Sequence, residues 1–191
     1  MKDPTKVFLE NLRATPTDSL FRKERWLTSE ESHALQTIII TERIRNYYEC
    51  GTANGFSAAW ALLGVRRQDP GGVVHTWDPY SRTKIWDHPD CPSSVRDGII
   101  YHPQRFDQGM QTDYQRGLGR SLFFIDGDHR LSSVNTDYEA ALSRAADEDL
   151  IVLHDVIGYA HIGEKFRTWG ARGRSAFLPT DRGIGVIWVE K

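Results

Sequence analysis

The sequence predicts an α/β protein in which a largely parallel sheet carries helices on both faces. Short apolar runs alternate along the chain with segments whose apolar residues recur at helical spacing. Residues 121–125 and 150–153 are almost entirely apolar, as expected of strands that are buried on both faces. Each helical segment can supply the crossover that two consecutive parallel strands require. The pattern therefore predicts a doubly wound sheet.

Composition restricts the classes of protein to which the chain can belong. Its 191 residues suit one domain with a substantial core. The hydrophobic fraction of 39%, the charged fraction of 26% and the net charge of −2 fit a globular protein without a general basic field for nucleic acid or anionic membrane. The longest apolar run, residues 38–40, is far too short to span a membrane. We expect a cytoplasmic protein, because two cysteines make no disulfide framework and the N-terminus opens no apolar signal region.

The predicted order is a helix, then repeated strand and helix units, then a terminal pair of strands. Predicted strands cover residues 46–49, 73–77, 98–101, 121–125, 150–153, 176–178 and 185–189. One helix is predicted to begin at Thr28, and three more are predicted over residues 55–66, 134–145 and 159–170. Thr28 and Glu31 have the spacing of a capping box, which marks the first of these helix starts. Residues 81–97 are polar and read as a long loop or a broken helix.

Residues 1–27 are predicted to lie outside the regular pattern, because they mix charge, proline and isolated apolar side chains. They form either an N-terminal arm that packs on the domain or a lid over a substrate site. Residues 28–191 then form a single domain.

The segment 47–57, read Y-Y-E-C-G-T-A-N-G-F-S, is predicted to turn from the first strand into a helix. Gly51 permits a tight turn and Gly55 a close approach of the helix, whose free N–H groups favour an anion. Ala53 occupies the middle position of the dinucleotide fingerprint, and the spacing G-x-x-x-G departs from it. Glu49 would repel a pyrophosphate but accept from a cationic amino group, so an amino-acid zwitterion fits better. The alternative is an ordinary strand–turn–helix.

Polar clusters also follow the other predicted strands. Asp78 follows the second strand, where nucleotide-binding folds place a ribose-binding acid; the alternative is a helix cap. Asp126 follows the fourth strand within D-G-D-H, and His154 and Asp155 follow the fifth. Because the carboxyl ends of parallel strands meet at one edge of the sheet, we expect these side chains to converge on one site.

Taken together, these motifs resemble class I S-adenosylmethionine-dependent methyltransferases over about residues 45–157. The motifs are E-x-G-x-x-x-G-F-S, an acid after the second strand, F-I-D-G-D-H, and H-D-V after the fifth strand. The nearest branch groups small O-methyltransferases with relatives of catechol O-methyltransferases, macrolide sugar O-methyltransferases and cephalosporin hydroxylases. The resemblance implies a Rossmann-like, mostly parallel seven-stranded sheet with a terminal antiparallel pair. It also implies O-methylation of a small-molecule or sugar hydroxyl by in-line displacement.

The resemblance further implies the cofactor S-adenosyl-L-methionine. Its implied binding residues are Glu49, Gly51, Gly55, Ser57, Asp78 and Asp126. The Ser57 hydroxyl would meet the methionine carboxylate, Asp78 would bind the ribose, and Asp126 would lie beside the sulfonium. Gln104 and Asp107 are candidates for contacting the adenine.

A divalent metal ion is a separate question. Catechol-type relatives bind Mg²⁺ through residues that match Asp126, His154 and Asp155, and the histidine shifts the preference toward Mn²⁺, Fe²⁺ or Zn²⁺. The alternative is that His154 is a neutral group or a general base and Asp155 caps a strand end. A metal would lower the pKa of the acceptor hydroxyl, and without one His129 or His154 could remove the proton. The candidate catalytic residues are Asp126, His129 and His154, although His129 could instead belong to the first turn of the next helix.

Two rival functions remain at this stage. One is a metal-dependent hydroxylase-like relative on the same fold, and the other is a cofactor-binding module without catalysis. An NAD-binding domain is disfavoured by Ala53 and Glu49. The expected partner is a small-molecule acceptor, with no membrane or nucleic acid, and a homo-oligomer is compatible with the sequence.

Overall fold

A computed structural model describes residues 3–14, 26–80 and 82–191. The helices are α1 (Pro4–Ala14), α2 (Ser29–Thr41), α3 (Phe56–Gln68), α4 (Ser93–Arg96), α5 (Phe106–Thr112), α6 (Leu131–Arg144) and α7 (Ala160–Gly170). The strands are β1 (Ile44–Cys50), β2 (Val74–Trp77), β3 (Ile99–His102), β4 (Arg120–Ile125), β5 (Leu150–Leu153), β6 (Ser175–Leu178) and β7 (Ile184–Trp188). Among these helices, none is both long and apolar enough to cross a membrane.

The seven strands form one sheet in the order β3-β2-β1-β4-β5-β7-β6. Strands β1 to β5 pair in parallel, whereas β7 runs antiparallel to both β5 and β6. The predicted fold class is confirmed, including the terminal antiparallel pair. The chain order reverses between β1 and β4, and a crevice at the carboxyl ends of the strands is expected there.

Helices cover both faces of the sheet. Apolar residues of α2 and α3 pack on one face, and those of α5, α6 and α7 pack on the other. Strand β4 has no exposed face, because Leu122 and Phe124 point to one layer and Phe123 to the other, each with 0% exposure. Two-sided burial explains why this strand is a continuous apolar run.

The N-terminal segment contributes a helix to this architecture. Phe8, Leu9 and Leu12 of α1 are buried in a cluster with Trp60 and Leu63 of α3. The boundary at residue 27 stays a prediction, and part of the segment proposed as an arm or a lid, residues 15–25, lies outside the described residues.

Several element bounds differ from those that the sequence predicts. The first strand is longer than predicted and runs over Ile44–Cys50. Residues 82–97 form a loop that carries a 3-10 turn at Ile85–Asp87 and the four-residue α4. Helix α5 was not predicted. It buries only Phe106, Gly109 and Met110, and its seven residues are too few to show a helical repeat of apolar side chains.

Candidate functional site

The carboxyl ends of β1, β2, β4 and β5 border one cleft of about 1000 Å³. Seven residues that the sequence proposed for the site line this cleft: Gly51, Ser57, Asp78, Asp107, Asp126, His129 and Asp155. Glu49 and His154 are buried behind its wall, with 0% and 2% exposure. The topology therefore brings the proposed residues together, with some lining the cleft and others buried behind its wall.

Gly51 sets the geometry of the first loop. It has a φ of 98°, and its N–H donates to the carbonyl of Trp77 at 2.9 Å. A Cβ at this position would lie 2.1 Å from the carbonyl oxygen of Asp126. A glycine is therefore required for both conformation and space.

The loop continues through Ala53, which has an unusual left-handed φ of 44°. Its N–H donates to Oδ2 of Asp78 at 2.9 Å. The N–H of Tyr80 donates to Oδ1 of Asp78 at 2.8 Å. Asp78 therefore shapes the backbone at the end of β2 within a turn, since the next helical turn among the described residues begins at Ile85. Each of its oxygens keeps a second acceptor site for a ligand hydroxyl.

Two residues at the 3-10 turn, Lys84 and Trp86, contact the loop that follows β1. Lys84 is 4% exposed, donates from Nζ to the Ala53 carbonyl at 2.8 Å, and lies 4.3 Å above the ring of Tyr101. Burial lowers the pKa of Lys84, and Asp78 opposes that shift. Gly55, with a φ of 84°, leaves room for the Trp86 ring, which would lie 2.2 Å from a Cβ. No sequence motif indicates Lys84, because its partner is a backbone carbonyl.

Glu49 lies beneath the loop and does not line the cleft. Its carboxylate accepts from Thr76 Oγ1 at 2.6 Å and from the Tyr47 hydroxyl at 3.2 Å. Burial raises the pKa of Glu49 to about 7, although hydrogen bonds from Ser57 and Thr76 oppose this. Glu49 thus reaches the cleft through its hydrogen bond with Ser57, which lines it, and its role in cofactor binding stays a prediction.

A cluster of two histidines and three carboxylates lies where β4 and β5 end. His154 Nδ1 is 3.1 Å from Asp126 Oδ1 and 3.2 Å from Asp155 Oδ2, and its Nε2 is 3.3 Å from Glu31 Oε1. His129 Nε2 is 2.6 Å from Asp155 Oδ2 and 3.8 Å from Asp126 Oδ1. The sequence missed Glu31 as a member, because its capping-box spacing already gave it a role.

These contacts change the proton affinities of the cluster. The hydrogen bond to Asp155 raises the pKa of His129 above its ordinary value, although burial opposes the shift. Burial would lower the pKa of His154, but Asp126, Asp155 and Glu31 outweigh it and raise that pKa. Burial would raise the pKa of Asp155, but the two histidines hold it well below its usual range.

The backbone beyond β5 is shaped around this cluster. Asp155 has a φ of 61°, a left-handed conformation that is uncommon outside glycine. A Cβ at Gly158 would lie 2.9 Å from Asp155 Oδ1. The ring of Tyr159 stacks on His129 with centroids 4.6 Å apart. Tyr159 thus limits the positions that the His129 ring can take.

The donor set fits a divalent cation. Asp126, His154 and Asp155 each offer one ligand atom, and these atoms lie within 4.8 Å of one another. An unprotonated Nδ1 would place a lone pair against two carboxylates, so a proton or a cation has to lie between them. Two carboxylates with one imidazole suit Mn²⁺, Fe²⁺ or Zn²⁺ better than Mg²⁺.

The two adenine candidates lie in different places. Asp107 lines the cleft and pairs with Arg105 at 2.9 Å. Gln104 instead donates to the carboxylate of Asp113, on the outer side of the segment. Asp137, which the sequence did not single out, lines the same part of the cleft, and burial raises its pKa to about 6.

The strand order, with the glycine loop at the central strand and acids beyond its neighbours, defines a Rossmann-like domain with a cleft at the switch point of the sheet. The sequence profile described as a methyltransferase domain matches residues 48–156, more than half of the chain. The chain belongs to this family.

Solved structures share the fold over nearly all of this chain and about nine tenths of their own length. The O-methyltransferase TomG from Streptomyces achromogenes, involved in tomaymycin synthesis and solved with SAM, is 13% identical, with a TM-score of 0.69 over 100% of this chain and 91% of that one. An O-methyltransferase from Bacillus cereus in complex with SAH is 18% identical, with a TM-score of 0.69 over 99% and 92%. A methyltransferase from Geobacter sulfurreducens is 13% identical, with a TM-score of 0.66 over 100% and 90%. A comparison with curated protein sequences found no significant match.

Proposed function

We propose that the protein transfers a methyl group from S-adenosyl-L-methionine to a hydroxyl of a small molecule or sugar. One observation carries this proposal: the glycine loop at Gly51 and the cluster of Asp126, His129 and Asp155 line the same cleft. Membership of the methyltransferase family supports the reaction class. The SAM and SAH in TomG and the Bacillus cereus enzyme support the cofactor.

The cofactor lies across the ends of β1, β2 and β4 in this proposal. Its methionine part rests on the loop from Gly51 to Ser57, with Glu49 and Gly55 supporting that loop from behind. Its ribose hydroxyls donate to the free acceptor sites of Asp78, and its adenine lies toward Asp107. The carboxylate of Asp126 stabilises the positive sulfonium.

His129 is the proposed general base. Its ring lies in the cleft with a third of its side-chain area exposed, and Asp155 at 2.6 Å both orients it and raises its pKa. A base in this state takes a proton from an acceptor hydroxyl that lies within hydrogen-bond reach. Placing that oxygen in line with the methyl carbon and sulfur supplies most of the remaining rate enhancement.

A divalent ion fits the proposal as an additional component held by Asp126, His154 and Asp155. When bound, it would lower the pKa of the acceptor hydroxyl. The buried His154 then keeps its ring fixed between the two carboxylates and Glu31. Asp155 contacts both histidines, so it joins the metal-binding group to the base.

Two measurements test the proposed function. Calorimetry with S-adenosylhomocysteine should give saturable binding at micromolar to millimolar concentrations, and no binding in that range would refute the methyltransferase proposal. Incubation with methyl-labelled S-adenosylmethionine and a panel of phenols, catechols and sugars should transfer label to at least one hydroxyl class. Binding without any transfer would favour a cofactor-binding module.

A metal-dependent hydroxylase is the second candidate function. The observation that favours it is the presence of two imidazoles, His129 and His154, around Asp155, because two histidines and one carboxylate suit Fe²⁺. Metal analysis of the protein as purified separates the candidates: iron near one equivalent without binding of S-adenosylhomocysteine would favour the hydroxylase. A small-molecule partner, a cytoplasmic location and assembly as a homo-oligomer remain part of the proposal.

A further inference from the structure

Glu31 occupies an unusual place for a capping-box residue. It lies in the first turn of α2, yet it is 0% exposed. Its Oε2 accepts the N–H of Thr28 at 2.9 Å, which is the ordinary half of the capping box. Its Oε1 points inward, accepts the N–H of Arg182 at 3.0 Å, and lies 3.3 Å from His154 Nε2. One carboxylate thus joins the start of α2 to the turn before β7 and to the histidine–carboxylate cluster.

His154 needs such a partner. Its Nε2 is buried and makes no well-aligned hydrogen bond within the described parts of the chain, and Glu31 Oε1 is the charged group that faces it. Its Nδ1 lies between Asp126 and Asp155 on the opposite side of the ring. Histidines that bind metals commonly donate their second N–H to a carboxylate, which fixes both the ring orientation and the tautomer.

Both carboxylate oxygens of Glu31 face hydrogen-bond donors, so both must act as acceptors. Oε2 faces the Thr28 N–H, and Oε1 faces the Arg182 N–H and the hydroxyl of Thr180 at 3.3 Å. A proton on either oxygen would point at one of these donors, so both oxygens act as acceptors, and the proton between Glu31 Oε1 and His154 belongs to Nε2.

We propose that Glu31 is a positioning residue that holds the Nε2–H of His154, so that Nδ1 faces Asp126 and Asp155 and completes a site for a divalent cation. The inference rests on the metal-binding part of the proposed function. It assigns to the N-terminal turn of α2 a role in a site that the strand ends otherwise build.

Titration of the metal-free 191-residue chain with Mn²⁺ tests the assignment. Glu31→Gln and Glu31→Ala should weaken Mn²⁺ binding roughly 10- to 100-fold, as the loss of a hydrogen-bonding carboxylate behind a ligating histidine does elsewhere. Thr28→Ala is the matched control: it removes the other side chain of the capping box and leaves its N–H, Glu31 and His154 in place. The control should bind Mn²⁺ as the wild type does, and equal affinities in the control and the Glu31 variants would overturn the inference.

A second measurement uses the wild-type protein, so it does not depend on whether a variant folds. In the Zn²⁺-loaded wild type, nitrogen-15 NMR of His154 should show a proton on Nε2 and none on Nδ1. A proton on Nδ1, or no binding of either metal, overturns the inference. Calorimetry with S-adenosylhomocysteine on the same sample reports on the methyltransferase proposal separately, because neither Glu31 nor His154 lines the cleft.

Discussion

Gly51 lies directly against the backbone of Asp126, so that a Cβ at residue 51 would be 2.1 Å from the Asp126 carbonyl oxygen and 2.7 Å from its carbonyl carbon. The Asp126 N–H in turn donates to the carbonyl of Cys50 at 3.0 Å. The loop after β1 and the acid after β4 are therefore one continuous structure. This contact sets the distance between the proposed cofactor loop and the proposed catalytic cluster.

Gly51→Ala should disrupt both stability and cofactor binding. The left-handed φ and the collision with backbone atoms together cost about 2–5 kcal/mol in the free energy of unfolding. Urea unfolding measures that change, and calorimetry should show S-adenosylhomocysteine binding weakened by tenfold or more. Gly71→Ala is the control, because its nearest non-neighbouring atom would be 3.7 Å from the new Cβ. Equal behaviour of the two variants would contradict the role given to Gly51.

Asp78→Asn should weaken cofactor binding more than it weakens the fold. The amide can keep one of the two backbone hydrogen bonds, from Ala53 or from Tyr80, but it loses the charge that would bind two ribose hydroxyls. Hydrogen bonds to a charged group contribute about 1.5–3 kcal/mol, so the dissociation constant for S-adenosylhomocysteine should rise roughly 10- to 100-fold. Asp90→Asn, on an exposed side chain, should leave it unchanged. An unaltered constant in Asp78→Asn would leave Asp78 as a backbone cap alone.

The sequence predicted the central strands β4 and β5 well because both are buried on both faces. Burial on two sides makes β4 and β5 continuous apolar runs, so their position needs no information about distant residues. Helix α5 escaped prediction for the opposite reason. Gly109 lies inside it, where a Cβ would be 1.9 Å from Trp77 Nε1, so the residue is chosen by a contact with another element and weakens the helical pattern.

The sequence predicted which residues form the candidate site, but not which of them line the cleft and which are buried behind its wall. Parallel topology brings Asp78, Asp126 and Asp155 to one edge of the sheet, as their positions after strands implied. The supporting groups carry no local signal. Glu31 meets His154 across a large sequence separation, and Lys84 acts on a carbonyl, so neither has a motif that names its partner.

Lys84→Met should loosen the cofactor loop. The side chain keeps its apolar stem, but the Ala53 carbonyl loses its buried donor at 2.8 Å. An unpaired buried carbonyl costs about 1–3 kcal/mol, which urea unfolding would detect. S-adenosylhomocysteine should also bind more weakly, because Ala53 holds the N–H that orients Asp78. The control is Lys6→Met, since Lys6 makes an exposed i,i+4 pair with Glu10 that contributes little. If Lys84→Met matches this control in both stability and binding, Lys84 does not stabilise the cofactor loop.

Glu49 should make stability fall as the pH rises. Its pKa is raised by burial from 4.5 to about 7, so between these values the folded state binds more protons than the unfolded state. The stabilisation is complete below about pH 4.5 and is lost as the pH rises through about 7, and at most about 3 kcal/mol is at stake. Unfolding of wild type and Glu49→Gln between pH 5 and 8 should show the wild type losing stability relative to the variant. A constant difference over this range would mean that Glu49 keeps one protonation state.

His129→Asn should separate catalysis from cofactor binding. The side chain contacts Asp155 and Tyr159 and lies on the acceptor side of the cleft, so S-adenosylhomocysteine should bind within about twofold of wild type. Methyl transfer should fall roughly 10²- to 10⁴-fold, the usual contribution of a positioned general base. Because Asp155 raises the pKa of His129, the acid limb of the wild-type pH–rate profile should lie above the ordinary histidine value and vanish in the variant. His33→Asn, on an exposed position of α2, is the control. A variant that keeps the acid limb and the wild-type rate would transfer the role of base to another group.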